Sequence, residues 1–81
     1  MERLEIKETV YGVIQQVLGV DQRKIMEEHH FSENLGAESI QSVEMMAGFE
    51  EAFSIEMDED EAMGIQTVGG AIDYIKNYVL I

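Results

Sequence analysis

The chain has no cysteine, no proline and no tryptophan among its 81 residues. Without cysteine, neither a disulfide framework nor a thiolate metal site can form, so any thiol chemistry must arrive on an attached group. No apolar run approaches the roughly 20 residues of a membrane-spanning helix, and the charged opening Met1-Glu2-Arg3-Leu4-Glu5 does not resemble a signal peptide. These absences predict one small domain over residues 1–81, not inserted in a membrane and located in the cytoplasm.

Positive charge is also scarce. The chain carries 17 Asp and Glu against 5 Lys and Arg, and no Lys or Arg lies between Lys24 and Lys76. Such a surface repels nucleic acid and anionic membranes and attracts basic partners. Acidity alone can simply keep a small protein soluble, but the complete absence of bases over this span favours a partner surface. With one modest apolar core, the chain is expected to be a monomer.

Hydrophobic periodicity predicts four helices and no strand. The first helix carries an apolar stripe and ends at Gly19, and an irregular stretch follows as far as Gly36. The second helix is predicted over 39–53, a short third over 58–63, and a fourth after Thr67 as cap. The two apolar stripes comprise Ile6, Val10, Val13, Ile14 and Val17 in the first helix and Val68, Ala71, Ile72, Ile75 and Val79 in the fourth. The fold class is therefore all-α, a small four-helix bundle with a short third helix and a long structured loop between helices one and two.

The second helix is amphipathic. At 100° per residue, Met46, Phe49 and Phe53 form the predicted core side, with Met45 and Val43 beside them. The opposite half is an acidic stripe with two apolar positions. It consists of Glu38, Ile40, Gln41, Glu44, Ala47, Gly48, Glu50 and Glu51. An ordinary solvated helix face is the alternative, but the stripe begins directly beside Ser39, which favours a recognition surface.

Ser39 stands where the loop turns into the second helix. A hydroxyl there lies above backbone N–H groups and a helix dipole that favour bound anions such as phosphate. Ser39 could instead be a simple helix cap, although no Glu or Gln follows three residues later to complete a capping box. A catalytic nucleophile is disfavoured, because the G-x-S-x-G elbow is absent and neither His29 nor His30 has an evident orienting acid.

Four segments in order resemble the acyl carrier protein family over nearly the whole chain. They are FSENLGAESI at 31–40, Val43-Glu44, FEEAF at 49–53 and TVGGAIDYI at 67–75. The resemblance implies a non-enzymatic carrier whose Ser39 receives 4′-phosphopantetheine from coenzyme A and Mg²⁺ through a phosphopantetheinyl transferase. The terminal thiol of that arm would hold an acyl group as a thioester.

The resemblance also implies that helix two docks the transferase and the acyl-transfer, condensing and reducing enzymes through their basic patches. The matching positions are Glu38, Ile40, Gln41, Glu44, Ala47, Glu50 and Glu51. A further hypothesis is that flexible methionines part to admit an acyl chain, against the alternative that they only fill gaps in the core. The predicted acyl pocket consists of Met45, Met46, Phe49, Met63 and Ile72, with Met57 and Ile40 nearby.

Several positions depart from the family pattern. Glu38 and Ile40 replace the usual Asp and Leu, Gln41 stands where an acid is common, and Gly48 stands where Ala is usual. These changes leave open a fatty-acid carrier or a dedicated carrier of polyketide, specialised lipid or aminoacyl cargo. A different class, an unmodified acidic helical adaptor, also remains. No metal site is expected, because the acids at 58–61 lack the remaining ligands of a calcium loop.

Overall fold

The computed structural model describes residues 2–79, which form four α-helices and no strand. The helices are α1 (Arg3–Leu18), α2 (Ser39–Phe53), the short α3 (Glu59–Met63) and α4 (Val68–Val79). The predicted helical fold, with its short third helix, is confirmed. A 3-10 turn, Gln22–Lys24, lies in the segment after α1, and the Asp21 carboxylate caps it by accepting the Arg23 backbone N–H at 2.8 Å.

The helix ends follow local chemistry. Gly19 takes a left-handed φ of 72° just past α1, where a side chain would be strained. Asp58 lies before α3 rather than inside it, and its carboxylate accepts the Glu61 N–H at 3.0 Å. Thr67 Oγ1 accepts the Gly70 N–H at 3.0 Å and so caps α4 as predicted.

The core is formed by α1, α2 and α4. Their largest fully buried side chains follow the predicted stripes, and they are Ile6, Val10, Ile14, Val68, Ile72 and Ile75. Val17 and Val79 pack against this core while partly buried. Fully burying one such aliphatic side chain contributes about 1.5–3 kcal/mol, and the buried Met45, Phe49 and Phe53 of α2 add to this core.

The buried face of α2 is rotated from its predicted orientation. Met45 and Val43 were both predicted to flank the core side. Met45 is 3% exposed and therefore buried, whereas Val43 is 50% exposed, so the placement of Val43 beside the core was wrong. Gly48, assigned to the outer face, lies against α1, and a Cβ there would stand 2.8 Å from Val13 Cγ1. The rotation arises because α1 covers one edge of α2, a contact that a helical wheel of α2 alone does not include.

The long segment between α1 and α2 is held against the start of α4. Gly69 N–H donates to Glu27 O at 2.8 Å, Val68 N–H to His29 O at 3.0 Å, and Phe31 N–H to Gln66 O at 2.9 Å. These bonds satisfy polar groups of the loop backbone, as burial requires, and confirm the prediction of a structured loop. No helix within the described part of the chain is long and apolar enough to cross a bilayer.

Candidate functional site

Ser39 is the first residue of α2, and its side chain is exposed. The capping alternative is wrong, because the cap residue is Glu38 and the capping box pairs it with Gln41. Gln41 Oε1 accepts the Glu38 backbone N–H at 2.9 Å. Within residues 2–79, no hydrogen bond engages the Ser39 hydroxyl. The hydroxyl therefore lies without a hydrogen-bond partner among these residues, at a helix N-terminus that favours negative charge.

The predicted docking positions fall into two groups. Glu38, Ile40, Glu44, Ala47 and Glu51 are exposed, whereas Gln41 and Glu50 are half-buried. Glu50 Oε2 accepts the Met57 backbone N–H at 2.9 Å, so this carboxylate holds the chain that leads into α3. Docking by the seven positions stays a prediction, but two of them also have structural roles.

Exposed apolar side chains occur next to Ser39 on α2 and also on α3. Ile40 is 70% exposed, Val43 50% and Met63 56%. Ile40 and Val43 are three residues apart and lie on neighbouring positions of the same helix surface. The sequence analysis missed Val43 here because it placed this residue at the edge of the core side. It also expected Met63 to be a core residue, and that expectation was wrong.

A groove separates α1 from α2 beside the acidic stripe. Glu44 and Glu51 stand along it, and its apolar wall includes Ala47 of α2 with Val13 and Val17 of α1. The sequence analysis did not predict how α1 and α2 pack together. Their contact depends on Gly48, whose missing side chain lets Val13 approach α2. Val13 and Val17 of α1 therefore border the acidic stripe of α2.

A cavity of about 240 Å³ lies between α2, α3 and the loop. Met45, Met46, Phe49 and Met63 of the predicted pocket line it, and Met57 joins them. Ile72 does not line it, because this side chain is fully buried in the core. Ala71 contributes from α4 instead, and the polar residues His30, Ser32, Glu33, Ser42 and Gln66 also line the cavity. Binding of an acyl chain there stays a prediction.

The two histidines have positions that do not support a hydrolytic site. His29 Nδ1 accepts the Met26 backbone N–H at 3.1 Å, and His30 lies on the wall of the cavity. Across residues 2–79, neither ring is hydrogen-bonded to Ser39, so no general base is paired with that hydroxyl. The described residues also contain no group of three or more side chains suited to hold a metal ion.

The family model described as a phosphopantetheine attachment site matches residues 8–75. Among solved structures, a candidate acyl carrier protein from Mycobacterium tuberculosis is similar, with 25% identity and a TM-score of 0.84. The alignment covers 90% of this chain and 97% of that one. Members of this family are carriers rather than catalysts, and their cofactor is covalently attached 4′-phosphopantetheine. The chain therefore belongs to the phosphopantetheine-binding acyl carrier family.

Proposed function

We propose that Ser39 carries 4′-phosphopantetheine and that the protein presents acyl thioesters to enzymes of fatty acid or related acyl-chain biosynthesis. The observation that supports this site is the exposed, unbonded hydroxyl at the first residue of α2. Of the other serines, Ser42 is half-buried and Ser54 ends α2 in a left-handed conformation with φ 55°. Ser32 lies in the loop, without a helix N-terminus beneath it.

The proposed modification is a displacement at phosphorus. The Ser39 oxygen bonds to the phosphorus of the pantetheine phosphate in coenzyme A, the pyrophosphate bond breaks, and adenosine 3′,5′-bisphosphate leaves. The hydroxyl proton passes to a base of the transferase or to water. The N–H groups of the first turn of α2 then face a phosphodiester anion, a charge that a helix N-terminus stabilises. Because the chain has no cysteine, the arm supplies the thiol for the thioester.

Docking would use the exposed part of the acidic stripe. Glu44 and Glu51 orient a basic partner during encounter, and Ile40 supplies apolar area beside Ser39. No Lys or Arg lies in the sequence between Lys24 and Lys76 to oppose a cationic surface. The thioether and aromatic lining of the cavity favours aliphatic cargo over an aminoacyl group.

Intact mass tests the site. The protein is incubated with coenzyme A, Mg²⁺ and a broad-specificity phosphopantetheinyl transferase, beside Ser39→Ala and the control variants Ser32→Ala and Ser42→Ala. We expect one added phosphopantetheine in all except Ser39→Ala. Modification of the Ser39→Ala variant would show that another residue carries the phosphopantetheine. No gain by folded, initially unmodified protein would support the adaptor alternative.

Charge reversal tests docking. Glu44→Lys with Glu51→Lys should raise the transferase KM by about tenfold, since close charge pairs contribute more than 1 kcal/mol each. The matched control, Glu8→Lys with Glu28→Lys, changes net charge equally at exposed positions outside α2 and should change KM far less. Equal effects of the two pairs would show that only net charge matters.

A further inference from the structure

The α2 wall of the cavity changes character with distance from Ser39. Its lining residues are Ser42, Met45, Met46 and Phe49. With a rise of about 1.5 Å per residue, Ser42 lies roughly 4.5 Å along the helix axis from Ser39 and Phe49 roughly 15 Å. The hydroxyl is therefore at the attachment end, and the thioethers and the ring lie deeper.

The loop adds polar side chains to the attachment end. Ser32 O accepts the Gly36 N–H at 3.2 Å, and Phe31 O accepts the Ala37 N–H at 2.9 Å, so this part of the loop lies against the residues that precede α2. Phe31 N–H also donates to Gln66 O at 2.9 Å, which brings Gln66 to the same end. Five polar residues line the cavity, and we name four of them, His30, Ser32, Ser42 and Gln66, the collar; the fifth is the exposed carboxylate of Glu33.

The opposite end of the cavity is apolar. The bond from Met57 N–H to Glu50 Oε2 places Met57 beside the second half of α2. Met46, Phe49 and Met57 line this end, and Met63 contributes from α3. A hydrocarbon tail loses no hydrogen bond there, and each buried CH₂ contributes about 0.8 kcal/mol.

The collar has hydrogen-bonding capacity to spare. Within residues 2–79, the side chains of His30, Ser32 and Gln66 make no hydrogen bond, and Ser42 Oγ reaches Glu38 O only at 3.5 Å. Ser32 and Gln66 are exposed and His30 and Ser42 are half-buried, so an unsubstituted hydrocarbon passing these groups would displace part of their water without replacing its hydrogen bonds, which is unfavourable. An oxygen on the first carbons of the chain would restore them.

We propose, on the basis of the proposed function, that the collar selects acyl thioesters that bear a hydroxyl or keto oxygen close to the thioester. The oxygen is bound by the collar, and the tail lies in the apolar end. His30 and Gln66 are the specificity-determining residues, because both have polar side chains that can reorient without disturbing a helix.

The test compares octanoyl and 3-hydroxyoctanoyl groups loaded on Ser39 from their coenzyme A thioesters, with loading confirmed by mass. Hydroxylamine cleavage rates are normalised to those of the free pantetheine thioesters. We expect about fivefold greater protection of the 3-hydroxy group, the effect of one neutral hydrogen bond. His30→Phe with Gln66→Leu should remove this difference. The control pair Gln16→Leu with Asn77→Leu, two exposed amides outside the cavity, should keep it.

Three results would overturn the proposal. Protection could be equal for both groups, or the difference could survive in the collar variant with its fold intact by circular dichroism. The amide chemical shifts of the collar residues could also change when the unacylated arm is attached and then stay the same on acylation. That result would show that the arm itself occupies the collar. Failure to load Ser39 at all is a separate result, because it rejects the proposed function at the mass measurement.

Discussion

At the scale of single residues, neighbouring acids have different tasks. Glu50 and Glu51 are consecutive acids of α2. Glu50 is half-buried and accepts the Met57 backbone N–H at 2.9 Å. Glu51 is exposed beside the groove. The sequence analysis treated both as docking residues because both match docking positions of the family that the chain resembles. Only the course of the chain after α2 separates their roles.

Glu50→Ala should therefore lower the free energy of unfolding by about 1–3 kcal/mol, because it leaves a backbone N–H without its charged acceptor. Glu51→Ala should change that free energy by less than about 0.5 kcal/mol. Urea unfolding monitored by circular dichroism measures both. Equal losses would contradict the assignment of a structural role to Glu50 alone.

At the scale of helices, the contact between α1 and α2 depends on the pair Gly48 and Val13. A glycine inside a helix costs about 1 kcal/mol relative to alanine, so its presence here needs a packing reason. The reason is space, because an added Cβ would lie 2.8 Å from Val13 Cγ1. Val13 is buried and β-branched, so its rotamer has little freedom to yield.

Gly48→Ala alone should destabilise the fold by about 1–3 kcal/mol through overpacking. In a Val13→Ala background the same change should be neutral or stabilising, because the clash is gone and the helix propensity of alanine remains. A double-mutant cycle of urea unfolding gives the coupling energy. Additive effects of the two substitutions would contradict direct contact.

A second contact between helices, made by Tyr74 and Glu61, joins α4 to α3. Tyr74 donates its hydroxyl to Glu61 Oε1 at 2.9 Å, and the Tyr78 hydroxyl lies 2.9 Å from that of Tyr74. Burial, with the hydrogen bonds to Tyr78 and Glu61, raises the pKa of Tyr74 above its ordinary value. No residue of α3 is buried, so this bond contributes much of what fixes the α3 wall of the cavity.

Tyr74→Phe should increase amide hydrogen exchange in α3 and lower the Tm at neutral pH. A raised folded pKa of a phenol adds stability that is present below the unfolded value of about 10 and lost as pH rises through the folded value. The Tm difference from the wild type should therefore shrink above pH 10. Glu61→Ala should also increase amide hydrogen exchange in α3, whereas Glu59→Ala should not. A larger increase in Glu59→Ala than in Glu61→Ala would refute the role of the Tyr74–Glu61 hydrogen bond.

At the scale of the whole molecule, electrostatic repulsion opposes compaction. The net charge is -12. The ion pairs from Arg3 to Glu27 at 2.7 Å and to Asp73 at 3.1 Å join α1 to the loop and to α4. Each partly exposed pair is worth at most about 1 kcal/mol, so repulsion among the unpaired acids outweighs them.

Raising the ionic strength from about 0.01 M to 0.15 M shortens the Debye length from about 30 Å to 8 Å. This change should raise the Tm, because it screens many repulsions and weakens few attractions. Scanning calorimetry over a sodium chloride series measures the effect. A Tm that falls with salt would show that the Arg3 pairs dominate instead.

The sequence by itself determined the helices, some of their ends and the position of Ser39 at the start of α2, because apolar spacing, capping chemistry and motif order are local properties. Gly19 and Thr67 could be assigned as helix ends from their neighbours alone. The tertiary structure decided which arc of α2 is buried, the task of Glu50 and the course of the cavity between Ser42 and Met57. These depend on which helix covers which edge, and that choice is made by contacts between residues far apart in the chain, such as Val13 with Gly48 and Tyr74 with Glu61.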